Sequence, residues 1–232
     1  GYGYGFPIFN FNATLAYYVG GAFTLLGFDA LLATKIMIGL GVILAGFFMY
    51  LLTREFFGEL GGIVSGLFYV YAPYHALDIY VRGDVAEFWA YAFIPLAFLG
   101  LYKKNIVLGA LGFAGLILSH NLTAMMVAPF LIIATLLNCY IASGKRLLIL
   151  YHSSLILIFG LALSAFYWIP VLLEMKYTNV LSQIGGGANF RDHFVCLSQL
   201  WSSQWGFGGS AKGCIDGLSF MIGKLHILMT GL

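Results

Sequence analysis

Long apolar runs separated by brief polar breaks recur along almost the whole chain. In order, they predict membrane-spanning helices at about Leu31 to Leu52, Gly58 to Ala72, Val85 to Tyr102, Asn105 to Ser119, Leu122 to Ile141 and Leu147 to Leu173. A helix needs roughly 20 apolar residues to cross a bilayer. The second and fourth runs fall short, so they require local thinning or burial against neighbours. Asn12 to Gly27 is apolar but interrupted by Gly20 and Gly21. It reads as a re-entrant or interfacial element behind the aromatic, glycine-rich opening GYGYGFPIFNFN. From Glu174 to about Gly223 the chain turns polar and glycine-rich, which predicts a long loop ordered by its aromatic residues. The expected partition is a multi-span membrane domain over 1–173 with an outer interfacial segment at 1–27, then a loop over 174–223. The start of a truncated further span follows at 224–232. Alternating strand patterns, heptads and fixed-period repeats are absent, so the fold class is an all-α integral membrane protein, a polytopic helical bundle.

Composition strengthens this picture. Hydrophobic residues make up 61% of the chain and charged residues only 9%, against about 25% charged in a soluble domain. Mean hydropathy is +0.94. The net charge of +2, carried on scattered cations, excludes nucleic acid as a partner and leaves the lipid bilayer. Cation placement speaks to topology: Arg54, then Lys103 and Lys104, then Lys145 and Arg146 fall in short loops on one side. The positive-inside rule assigns that side to the cytoplasm. The expected location is therefore the plasma membrane, multi-pass, with His75 to Asp84, His120 with Asn121, and the long loop after Glu174 outside. The chain starts at Gly rather than Met and reads as a fragment cut at both ends.

The candidate chemistry shares that outer face. Tyr80 to Glu87 reads YVRGDVAE between two apolar runs. Pro73 opens a short helix. If that helix continues, His75, Asp78 and Arg82 fall on one face, with Asp78 and Arg82 forming an i, i+4 pair. Two readings stand side by side: Arg82 meets a phosphate or carboxylate, or an interfacial helix turns its charges to water. Glu87 leads directly into a span, where an acid must be solvated, paired or functional. Asp84 at i−3 gives a carboxylate pair able to hold a divalent cation, and no other cofactor is indicated. His120 and Asn121 sit in a helical turn, either as interfacial polar residues or as second-tier site residues. Pro170 is expected to kink or end the last span. Cys196 and Cys214 both fall in the long loop, where a disulfide persists if their geometry allows one.

Together, the segments GYGYGFPIFNFNATLAYY, YVRGDVAEFWAYAFIPL, LSHNLTAMM, LALSAFYWIPVLLE and LSQLWSSQWGFGGSAKGCIDGLSFMIG resemble a family of bacterial polytopic membrane proteins labelled 6-pyruvoyl-tetrahydropterin synthase-related. That family in turn looks like the GT-C glycosyltransferase superfamily. The resemblance implies an outer pocket for a polyprenyl-phosphate-linked sugar and transfer of that sugar on the extracytoplasmic face. Arg82 and Glu87 map onto the family's RG-x3-E pattern, which implies that Arg82 stabilises the leaving phosphate while Glu87 or Asp84 organises the acceptor or a metal. His75, Asp78, His120 and Asn121 are the remaining pocket candidates, with Trp201 and Trp205 stacking on sugar or lipid. The resemblance also implies a catalytic acid in a first outer loop, which here would precede Gly1. Cys196 and Cys214 stand where other residues are expected, which favours their pairing. Two alternatives differ in class: a non-catalytic envelope protein that binds lipid-linked glycan, and a transporter of an uncharged solute. A charged solute is disfavoured, because the span centres lack Asp, Glu, Lys and Arg.

Overall fold

The computed structural model describes residues 8–142, 144–178 and 189–231. All regular elements among them are helical. In chain order these are α1 (Ile8–Phe11), α2 (Leu15–Leu25), α3 (Ala30–Val70), α4 (Pro73–Leu77), α5 (Val85–Lys103), α6 (Ile106–Ser119), α7 (Asn121–Ile141), α8 (Arg146–Leu163), α9 (Ala165–Glu174), α10 (Leu197–Trp201) and α11 (Lys224–Thr230). Four stretches are long and apolar enough to cross a membrane: Ala30–Arg82, Val85–Lys103, Asn121–Ile141 and Arg146–Leu163. Polar backbone groups in hydrocarbon must be satisfied within the segment, which a helix achieves by itself. This is an all-α polytopic membrane protein.

The described residues fall into two compact units, one within 8–67 and 85–171, the other within 68–84 and 172–231. In the first unit, Asp29 caps α3 by accepting from the N–H groups of Leu31 and Leu32, each at 3.0 Å. The helix then reverses at Gly58, whose φ of 71° and ψ of −175° belong to a region open essentially to glycine. Beyond it the chain folds back on itself: a Cβ at Gly62 would lie 2.8 Å from the Tyr50 ring, and one at Gly66 2.9 Å from the Gly46 carbonyl. The first two expected spans are therefore two helices that meet at Gly58 and fold back on one another.

Helices α5 and α6 form an antiparallel hairpin with a seam of small residues. A Cβ on Gly100 would overlap the Gly109 backbone, one on Gly112 would overlap Ala97, and one on Gly115 would strike the Phe93 ring. Such contacts let helix backbones approach closely where lipid supplies no hydrophobic drive. Seen from α6, partners step backward along α5, which is the antiparallel register. Helix α8 lies along α6 in the parallel sense, since Gly109 meets Ile156 and Gly160 meets Phe113. Helix α6 is short for a span, and it is buried on most sides, from Gly109 through Ile117. Packing against protein rather than lipid is what its length requires.

This arrangement gathers the basic turns at one end of the unit. Lys103 Nζ reaches Glu55 at 2.8 Å, and the parallel course of α6 and α8 places Lys145 and Arg146 at the end where α6 begins. The opposite end of the α5–α6 hairpin carries Glu87 and His120. Helix α2 has eleven residues, a rise of about 16 Å, too short for a hydrocarbon core of about 30 Å. It buries Ala16, with Ala13 and Thr14 just before it. One expectation is corrected. The helix after Arg146 breaks at Ser164, not at Pro170, which sits inside α9. The buried Ser164 hydroxyl donates to the Gly160 carbonyl at 2.8 Å, in competition with the backbone ladder.

Glycine identity at the reversal is testable. Gly58→Ala is expected to lower thermal stability in detergent by about 1–3 kcal/mol. Gly20→Ala, with nothing within 4 Å of a new Cβ, is expected to be neutral or mildly stabilising. Equal behaviour of the two variants in a thermal unfolding assay would contradict the assigned backbone strain.

Candidate functional site

In the first unit the hairpin register brings Glu87 and His120 together. Continuing the seam from Gly115 opposite Phe93 leads to the start of α5 and the end of α6. There a carboxylate oxygen of Glu87 and a ring nitrogen of His120 lie within 4.8 Å of each other. Each is oriented by a helical neighbour. The Tyr91 hydroxyl, one turn along α5, donates to Glu87 Oε1 at 3.0 Å. His120 Nδ1 shares a hydrogen bond of 2.7 Å with the Thr123 hydroxyl at the start of α7. The Ser119 hydroxyl, directly before His120, is buried without a hydrogen-bond partner. An unsatisfied buried hydroxyl costs about 1–3 kcal/mol and marks a position that requires explanation. Asn121 is brought to no such pairing by the recorded bonds, since its side-chain oxygen accepts from the Leu122 N–H at 2.9 Å. A carboxylate beside an imidazole can relay a proton, or can offer two ligands to a divalent cation.

In the second unit, Arg82 closes a charged corner. Helix α4 runs into a π-helical turn over Asp78–Arg82, which ends at Gly83 with φ of 61°. The Asp84 N–H then returns to the Asp78 carbonyl at 3.1 Å. Across this turn, Arg82 Nη1 donates to Asp78 Oδ1 at 2.7 Å and to the Tyr74 hydroxyl at 2.6 Å, while Nη2 donates to Asp84 Oδ2 at 3.2 Å. Asp78 is fully buried. One guanidinium thus serves two carboxylates, leaving the trio with one net negative charge. A phosphate arriving here meets a cation already engaged. His75 is also buried, its ring edge-on to Tyr69 at 5.1 Å, so it packs rather than lining an open surface. The i, i+4 spacing of Asp78 and Arg82 announced their pairing. No feature of the sequence announced the π turn that aims Arg82 at Asp84 as well.

The long loop of the second unit has a hydrogen-bonded core. Cys196 and Cys214 are joined by a disulfide with Cα atoms 5.5 Å apart. Gln199, 3% exposed, accepts from the Cys196 N–H and donates to Asp216 Oδ1, each at 2.8 Å. Ser203 also donates to Asp216, at 2.7 Å, and the Gly208 N–H reaches the Gly217 carbonyl at 2.7 Å. The donors on Asp216, led by the Ser203 hydroxyl and then the Gln199 amide, hold its carboxyl below the usual carboxylate range. Sequence reasoning missed this hub, because its members are scattered polar residues with no shared spacing. Trp201 and Trp205 remain about half exposed on the same loop.

Spanning helices, a small-residue helical seam and paired ionisable groups at its end define a polytopic helical membrane protein with a polar end site. Residues 9–185, well over half of the chain, match the model of the 6-pyruvoyl-tetrahydropterin synthase related domain, a membrane protein family, and the chain belongs to that family. The tryptophan-bearing segment from Leu197 to Gly223 lies beyond the matched residues. No curated protein and no solved structure matches the chain.

Two outcomes follow from these geometries. Arg82→Ala removes the cation that faces the buried Asp78 and is expected to cost about 3–5 kcal/mol, whereas Arg82→Ala combined with Asp78→Asn should recover much of that loss. Equal stability of the single and double variants, measured by thermal unfolding, would remove the structural role of the pair. For Asp216, a lowered carboxyl pKa means that its stabilisation of the loop is complete above the unfolded value of about 3.9 and lost as pH falls through the folded one. Amide protection factors in the loop, taken relative to the intrinsic exchange rate at each pH, should therefore fall on acidification below that range. Asp216→Asn should flatten the response, and an unchanged response would count against this assignment.

Proposed function

We propose that this protein is a GT-C-like membrane glycosyltransferase that uses a polyprenyl-phosphate-linked sugar at the extracytoplasmic face of the plasma membrane. The observation that carries the reading is the Glu87–His120 pair at the end of the α5–α6 hairpin remote from Lys103. By the positive-inside rule the Lys103 end is cytoplasmic, which turns the pair outward. Glu87 accepts the proton of the acceptor hydroxyl while His120 holds the carboxylate or takes the proton onward. The acceptor oxygen bonds to the anomeric carbon as the bond from that carbon to the phosphate oxygen breaks, and polyprenyl phosphate departs. A divalent cation on Glu87 and His120 would serve the same end by stabilising that phosphate.

A second reading is favoured by the corner in the other unit. Because Arg82 is already engaged by Asp78 and Asp84, it is poorly disposed to serve a leaving phosphate. An envelope protein that binds lipid-linked glycan without turning it over accommodates that. One experiment separates the two. Glu87→Gln and His120→Ala, inserted normally in membranes, should each lower sugar transfer from a radiolabelled polyprenyl-phosphate sugar by about 100-fold or more, with donor binding retained. Binding of the donor without transfer by the unaltered protein would establish the second reading.

A further inference from the structure

The disulfide-stapled loop presents a row of large exposed side chains beside cations. Leu197, 84% exposed, and Trp201, 45% exposed, are four residues apart on α10 and share a face. Ile215, 65% exposed, follows Cys214 directly, so the disulfide sets it near Leu197. Phe190 and Phe194 add a ring pair 6.0 Å apart. Two of these aromatic groups carry a cation alongside. Lys224 Nζ lies 5.8 Å from the Trp201 ring centre, and Arg191 is 5.9 Å from that of Phe190.

We infer that this face docks on the outer-leaflet interface of the bilayer in which the chain itself is embedded, with Trp201 as its anchor. Three observations select lipid over another occupant. An amphipathic ring with an adjacent ammonium or guanidinium suits the boundary where acyl chains meet phosphate head groups. The cations complement those phosphates. The face is also tied to the end of a spanning helix. The Ile222 N–H reaches the Leu200 carbonyl at 3.1 Å, and on α11, His226 Nε2 donates to the Phe68 carbonyl of α3 at 2.8 Å. These two bonds tie the loop to the C-terminal end of α3 within the second unit. The hydrogen-bonded core around Asp216 keeps that face formed before it meets lipid, so little ordering entropy is lost on docking.

The test uses the full chain reconstituted in phosphatidylcholine vesicles, with acyl chains brominated near their head-group end or left unbrominated. The emission of Trp201 is taken as the difference between the unaltered protein and Trp201→Phe. Bromine should reduce that difference emission about twofold, while aqueous iodide leaves it nearly unchanged. Quenching by iodide alone, or by neither agent, overturns the inference: the first outcome places the ring in water, where it is free to stack on a soluble sugar, and the second places it within protein. Thiol labelling before and after reduction confirms that Trp201→Phe keeps the Cys196–Cys214 bond, so loss of the loop fold cannot imitate a change in depth.

Discussion

Close backbone approach along the α5–α6 seam is the constraint on which the first unit rests. Between lipid-facing helices there is no apolar surface to gain from water, so association depends on contact and shape. Gly100, Gly109, Gly112 and Gly115 supply that shape, because no larger side chain fits where each meets its neighbour. The seam also fixes register. A slip of one residue would rotate Glu87 about 100° around its helix relative to the seam and carry it away from His120. The polar end is therefore a consequence of apolar packing some distance along the hairpin.

Charge is handled differently in the two units. In the first, Glu87 accepts from the Tyr91 hydroxyl and lies beside the His120 ring. In the second, Asp78 and Asp84 are both committed to Arg82, and the π turn and the left-handed Gly83 exist in a form that permits this. A buried ion pair of this kind is weak evidence for stability but strong evidence against tolerance of losing one partner.

Much of the fold was legible in the sequence because hydrocarbon imposes length. Runs such as Val85 to Tyr102 and Leu122 to Ile141 stand within a residue or two of α5 and α7, since helix is the only economical backbone for an isolated apolar run in lipid. The reversal at Gly58 was legible as a gap between spans but not as a single-residue turn, because Gly58 is one of 30 glycines and its φ is set by the folded hairpin. The break at Ser164 was attributed to Pro170, the louder helix breaker. A proline within α9 removes one N–H, whereas the buried Ser164 hydroxyl shares the Gly160 carbonyl with its own backbone N–H at the junction itself. The site was legible only residue by residue. Glu87 and His120 are 33 positions apart, and nothing short of the seam's register could join them, while their helical partners Tyr91 and Thr123 sit at i+4 and i+3, spacings that a search for local partners would have found.

The family match and the two kinds of site fall on different stretches of the chain. Both members of the Glu87–His120 pair and the Arg82 corner fall within residues 9–185, so they belong to the part of the chain that the family shares. The disulfide, the Asp216 hub and Trp201 fall beyond it. The hub rests on one carboxylate that receives two side chains and a backbone N–H, and the disulfide closes the same stretch, so this segment holds its form through local bonds rather than through a large apolar core. Local bonding of that kind lets a loop expose tryptophan and leucine without collapsing onto them. The proposed chemistry at the hairpin end and the proposed attachment through the loop then draw on different interactions, and either can change while the other is kept.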